Sequence, residues 1–194
     1  MGDASAGAKK NAMCIGCHGI PGYQSSFPQV HKVPMISGQS AGYLAAALHA
    51  YQKGERKHPT MRGIAESLSE QDVADLAAYY AEQVKAGEPP AQPSKQPDAQ
   101  VAQLLQKGAC VSCHGENFSK PIDASYPRIA GQAGDYLYVA LQAYKNDKGR
   151  YVGRSNAVMA GIASQFSNAE LKALANYLGA LDGQLHIVPQ SRFR

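Results

Sequence analysis

No tryptophan occurs in the 194 residues, and phenylalanine appears only four times. The aromatic share falls to 11 tyrosines instead. Apolar runs are short, and none reaches the roughly 18 residues that a membrane-crossing helix needs. Sustained apolar–polar alternation is missing as well, which argues against strands as the main element. Neither sign of charge dominates: Lys plus Arg number 19 and Asp plus Glu 15, for a net +4. Residues 1–86 carry eight basic and seven acidic side chains, residues 99–194 ten and six. That is not the footprint of a nucleic-acid-binding chain. Cysteine is scarce: the four present all fall in two pentapeptides. No thiol is left over for a disulfide, a catalytic nucleophile or a second metal.

Those pentapeptides are Cys14-Ile15-Gly16-Cys17-His18 and Cys110-Val111-Ser112-Cys113-His114, followed by Gly19 and Gly115. C-x-x-C-H is the attachment sequence of c-type haem. The two sulfurs meet the two vinyl groups of one porphyrin, and the next residue, histidine, sits under the iron. A thioredoxin-like dithiol needs a βαβ pattern around the motif, and a zinc ribbon wants its cysteine pairs about 15–20 residues apart. Here the surroundings read as helix and the pairs are separated by a whole domain. Two covalently bound haem c groups are expected. Attachment of this kind takes place outside the cytoplasm, so a periplasmic location is expected, with the targeting signal absent from these residues.

The chain reads as two copies of one unit. Gly38-Gln39 through Tyr51 aligns with Gly131-Gln132 through Tyr144, with eight of fourteen pairs identical. Met61-Arg62-Gly63-Ile64-Ala65 aligns with Met159-Ala160-Gly161-Ile162-Ala163. Eight residues after each methionine a serine opens a capping box, Ser69 to Asp72 and Ser167 to Glu170. Four prolines between residues 87 and 98 break regular structure and predict a semi-rigid extended linker. The expected fold class is all-α, as two tandem domains: 1–86, the linker 87–98, and 99–194. Helical stripes run through Leu44, Ala47, Leu48 and Tyr51, and through Leu137, Ala140, Leu141 and Tyr144. A short helix is expected before each haem motif, near 5–14 and 99–110. Domains of this size are small for a self-sufficient core, and a covalently held haem supplies apolar interior.

With histidine on one side of each iron, the opposite position must be assigned. Met61 and Met159 are the only methionines repeated between the copies, 43 and 45 residues after their histidines. Their shared surroundings favour ligation over core filling. A thioether there is soft and uncharged, favours Fe(II), and closes the iron to oxygen or peroxide. His31, His49, His58 and His186 have no histidine counterpart and are expected at the surface or in loops. Pro34 and Pro127 each lie four residues before the Gly-Gln pair. Two roles are open for them: accepting the Nδ1–H of the proximal histidine, or merely shaping a loop. Lys53, Arg56 and Lys57 in one half, and Lys145, Lys148, Arg150 and Arg154 in the other, read as a solvated rim that could steer an acidic partner.

Haem motif, Pro-x-x-x-Gly-Gln helix, Met-x-Gly-Ile-Ala and capped helix, all duplicated, make the chain resemble the dihaem cytochrome c4 family over nearly its whole length. The resemblance implies two cytochrome c domains related by a pseudo-twofold axis, with haem propionates facing the interface. It implies Cys14, Cys17, Cys110 and Cys113 as thioether residues, His18 and His114 as proximal ligands, Met61 and Met159 as distal ligands, and Pro34 and Pro127 as histidine-orienting residues. It further implies a periplasmic electron carrier, often membrane-associated, feeding a haem–copper terminal oxidase, and with no transmembrane segment in the sequence any such association is expected to be peripheral. A quinol-oxidising complex or a small cytochrome or cupredoxin is the donor class, and no nucleic acid is expected as partner. The segment before Met159 is five residues longer than that before Met61, so the two haem edges need not present equal surfaces. Two rival functions stand beside the carrier: a dihaem oxidoreductase of peroxidase or thiosulfate dehydrogenase type, and a cytochrome subunit docked on a dehydrogenase. The first needs an exchangeable iron or a cysteine ligand, and the sequence offers a methionine per iron and no spare cysteine.

Overall fold

A computed structural model describes residues 1–189; the last five residues of the expected second domain lie outside the described range. Helices dominate. The first half contains α1 (Ala4–Lys10), α2 (Ala12–His18), α3 (Ala41–Lys53), α4 (Pro59–Glu66) and α5 (Glu70–Glu82). The second contains α6 (Ala99–Lys107), α7 (Val111–His114), α8 (Gly134–Lys145), α9 (Ala157–Ala163) and α10 (Asn168–Gly179). Among the described residues four two-residue strands complete the set: β1 (Gln24–Ser25), β2 (His31–Lys32), β3 (Arg56–Lys57) and β4 (Gly153–Arg154). The expected helix over 5–14 is instead two, with α2 running through the first haem motif itself.

Local chemistry sets the helix ends. Ser69 and Asp72 cap α5 reciprocally, as do Ser167 and Glu170 for α10; each such cap stabilises by about 1 kcal/mol. Asp3, Ser40 and Asp98 cap α1, α3 and α6. In each half the terminal helices cross, α1 on α5 and α6 on α10, while α3 packs on α5 and α8 on α10. The predicted stripes are only partly buried by protein: Leu44, Ala47, Leu48 and Tyr51, like Leu137, Ala140, Leu141 and Tyr144, line a cavity. The helix faces that periodicity marks as core therefore face the space where the prosthetic group belongs.

The halves are joined by β3 and β4, which pair antiparallel with Arg56 opposite Arg154. Ser155 N–H donates to the Glu55 carbonyl at 2.7 Å, and Ser37 bridges to His186 near the chain end. The proline-rich segment is not a free spacer. It is strapped to the second half by Asn117 to the Pro90 carbonyl, Tyr177 to the Lys95 carbonyl, and Asp182 N–H to the Ser94 hydroxyl.

α1 is held to α5 by Lys10, whose Nζ lies 2.8 Å from Asp72 and 2.7 Å from Asp75. Lys10 and the Asp3 N–H hold the Asp75 carboxyl at about 2, below its ordinary 3.8. A carboxyl so depressed stabilises the fold above pH 3.8, and that contribution disappears as pH falls towards 2. Over that window the amides of α1 should lose hydrogen-exchange protection before those of α10. An Asp75→Asn variant should show the same early loss at neutral pH.

Candidate haem site

α2 carries the first motif as one helical turn, so Cys14 and Cys17, three apart, project from the same face. In the second motif Cys110 holds helical backbone and Val111–His114 forms the turn. Gly115 follows at φ 78°, where a Cβ would lie 2.1 Å from the Lys120 carbonyl oxygen. Only glycine fits there. The four cysteines are unbridged.

Both histidines are fixed from behind. His18 Nδ1 lies 2.8 Å from the Pro34 carbonyl oxygen, and His114 Nδ1 3.1 Å from that of Pro127. A carbonyl only accepts, so each Nδ1 carries the proton. The neutral ring then keeps a bare Nε2 lone pair, the form a metal ligand needs. Burial pushes both imidazoles below their ordinary value, against the opposing pull of the proline carbonyls. Of the two roles open to the prolines, the geometry is that of a histidine-orienting acceptor.

Met61 and Met159 each occupy the third position of a short helix. Met61 N–H donates to His58 Nδ1 at 3.4 Å, and Met159 N–H to Asn156 Oδ1 at 3.0 Å. These caps, three residues before each methionine, escape a sequence reading because His58 and Asn156 differ in type. Since His58 Nδ1 accepts, its proton sits on Nε2, and that ring has no lone pair to offer a metal. Burial, then His31 and Arg56, push its pKa down to about 4. The expectation of surface histidines fails for His31. It is 6% exposed, its ring lies against Tyr136, and it lines the cavity together with His58. β2 folds it inward, and a two-residue strand carries no periodicity that would show it.

The cavity measures about 680 Å³ and crosses from one half to the other. Its walls include Cys14, Cys17, His18 and Met61 on one side, and Cys110, Cys113, His114 and Met159 on the other. At the boundary stands a cluster that the charge pattern misassigned. Arg56 and Arg154, expected on a solvated rim, are turned inward by the β3–β4 pairing. Arg154 is 9% exposed, and Arg56 Nε is buried without a hydrogen-bond partner. Both guanidiniums donate to the Tyr136 hydroxyl, at 2.6 and 2.9 Å, and Arg56 donates to Tyr43 at 3.2 Å. Among the described residues no ion pair involves either arginine. Burial raises the Tyr136 phenol, but the two cations outweigh it and hold that phenol below its ordinary value. Of the remaining rim residues, Lys57 is bonded to the Asp147 carbonyl and Lys145 to that of Phe166, while Lys53, Lys148 and Arg150 are exposed as expected.

Two like charges buried side by side, with one orphaned N–H and no carboxylate, are costly unless an anion joins them. Haem brings its own carboxylates. The cysteine pairs, the bare imidazole nitrogens, the apolar walls and this unpaired cationic centre all fit two haem groups, whose carboxylates would supply the missing anions.

The cytochrome c family model matches residues 4–82 and 99–182. Cytochrome c4 of Azotobacter vinelandii is 32% identical, over 93% of this chain and 90% of that protein. A thiosulfate dehydrogenase electron acceptor of Thiomonas intermedia is 28% identical, over 91% of this chain and 82% of its own. The crystal structure of reduced recombinant cytochrome c4 from Pseudomonas stutzeri superposes with a TM-score of 0.65 at 26% identity, covering 94% of this chain and 100% of that one.

Proposed function

The chain belongs to the cytochrome c4 family, a duplicated form of cytochrome c with two covalent haem c groups, and on that premise we propose that His18 with Met61, and His114 with Met159, hold the two irons. Cys14, Cys17, Cys110 and Cys113 anchor the rings through thioethers, and Arg56, Arg154, Tyr43 and Tyr136 receive the propionates. The domain limits 1–86 and 99–194, with 87–98 between, follow the same division. Bound in this way, haem supplies one reversible electron per iron. The protein's own residues would supply two ligands to each iron, His and Met, while the α3 and α8 stripes exclude water and the proline carbonyls fix the imidazole tautomer.

The observation that carries this reading is the proton on each Nδ1, imposed by Pro34 and Pro127, which leaves Nε2 free in both halves. The protein is an electron-transfer protein, and its proposed task is to carry single electrons in the periplasm from a respiratory donor to a terminal oxidase. No helix among the described residues is long and apolar enough to cross a membrane. A second reading has support in the likeness to thiosulfate dehydrogenase electron acceptors: the same two-haem unit taking its electrons from a dehydrogenase. Both readings place no substrate on this chain.

A reductive titration tests the carrier against an enzyme. It should consume two electrons per chain, and the fully reduced protein should show no spectral change under carbon monoxide. A spectrum altered by carbon monoxide at either haem means an open or exchangeable iron, which supports the oxidoreductase reading instead.

A further inference from the structure

The glutamines of the two Gly-Gln pairs each accept from the next N–H of their own domain, Ser40 and Ala133, at 3.0 Å, but their remaining bonds cross the boundary. Gln132 reaches from the second half to the first, where its Oε1 accepts from Met35 N–H at 2.9 Å and its Nε2 donates to the Met35 carbonyl at 2.9 Å. Gln39 makes the mirror pair: its Oε1 accepts from Arg128 N–H and its Nε2 donates to the Arg128 carbonyl, both at 2.9 Å. Gly38 and Gly131, at φ 81° and 74°, turn the backbone so that the glutamines point outward across the boundary. Both side chains are almost wholly buried, at 3% and 4% exposure.

Met35 N–H belongs to the same peptide group as the Pro34 carbonyl, and Arg128 N–H to the same group as the Pro127 carbonyl. Those carbonyls accept the Nδ1–H of His18 and His114. The chain of bonds is therefore Gln132, the Pro34–Met35 peptide, His18, and in the other direction Gln39, the Pro127–Arg128 peptide, His114. We propose that each glutamine is a positioning residue that tunes the proximal histidine of the opposite domain, so that each haem's potential is set partly in trans. The proposal rests on the reading of His18 and His114 as ligands.

The physics fixes the sign. A peptide is a resonance unit, so a bond accepted from its N–H leaves its carbonyl oxygen more negative and a better acceptor. Hydrogen bonds in series strengthen one another by roughly 10–30% each. A stronger bond from Nδ1–H makes the imidazole more basic towards the metal, which favours the ferric state and lowers the potential. Gln132 thus lowers the potential of the N-terminal haem, and Gln39 that of the C-terminal one. Because each amide bridges two domains, separation of the domains relaxes both relays together.

The test is a spectroelectrochemical titration of the holoprotein, with each haem followed separately by proton NMR of its ring methyls. Gln132→Met is close in shape and has no amide. It should raise the potential of the N-terminal haem and leave the C-terminal one in place, and Gln39→Met should do the reverse. The His18 Nδ1–H resonance should move upfield in Gln132→Met while that of His114 stays. If Gln132→Met fails to fold with both haems, Gln132→Glu keeps an oxygen facing Met35 N–H, and the His18 Nδ1–H resonance should then move downfield. A shift at the haem of the mutated domain, equal shifts at both, or none at either, overturns the relay. Absence of a ligand Nδ1–H resonance at either haem of the unmutated protein overturns the ligation reading beneath it.

Discussion

Replacing Arg154 by leucine is expected to cost the holoprotein about 3–5 kcal/mol, the usual penalty for removing one partner of a buried ion pair. In a chain of this length that lowers the thermal midpoint by roughly 6–20 °C. The argument runs from charge. Arg56 and Arg154 face each other across β3 and β4 and share the Tyr136 hydroxyl. With propionates in the boundary the pair becomes the counter-charge, and the loss of either cation strands a carboxylate in a low dielectric. Arg154→Lys should recover only part of the loss. Lysine keeps the charge but lacks the second donor edge and the planar face that lies 5.2 Å from the Tyr144 ring. Thermal unfolding of the three proteins decides this. A change below about 1 kcal/mol for Arg154→Leu, the range of an exposed pair, would show that no anion is held there.

A second large effect is expected from Met61→His. Only the backbone N–H of Met61 is used by the His58 cap, so the α4 helix survives the substitution. A second imidazole in place of a thioether favours Fe(III), and the potential of the N-terminal haem alone should fall steeply. The weak sulfur-to-iron band of the oxidised spectrum should drop to about half, as one of two methionines is lost. Met159→His should do the same to the other haem, its helix being capped equally by Asn156. Unchanged potentials in both variants would place the distal ligands elsewhere, with His31 the first alternative since it lines the same cavity.

The parts of the site readable from sequence are those whose chemistry is local or repeated. Each Cys-x-x-Cys-His is complete in five residues, and both capping boxes are complete in four. Met61 and Met159 stand out because duplication gives each a witness. The proline role is only half readable: the position is repeated, but the sequence separation of 16 from His18 to Pro34 hides whether the loop returns. What sequence cannot show is pairing across the boundary. Arg56 and Arg154 look like members of solvated charge runs because two-residue strands leave no periodicity. Gln39 looks like part of a helix start, and its partner Arg128 is 89 residues away. The stripe of Leu44, Ala47, Leu48 and Tyr51 is legible as apolar, yet periodicity cannot distinguish a protein core from the wall of a cofactor cavity.

Proton NMR of the fully reduced holoprotein tests the central assignment most directly. A methionine methyl held over a haem is shifted far upfield by the ring current, clear of all other resonances. Two such three-proton singlets are expected, one lost in Met61→His and the other in Met159→His. One singlet, none, or a pair that survives both substitutions would contradict two haems each held between histidine and methionine.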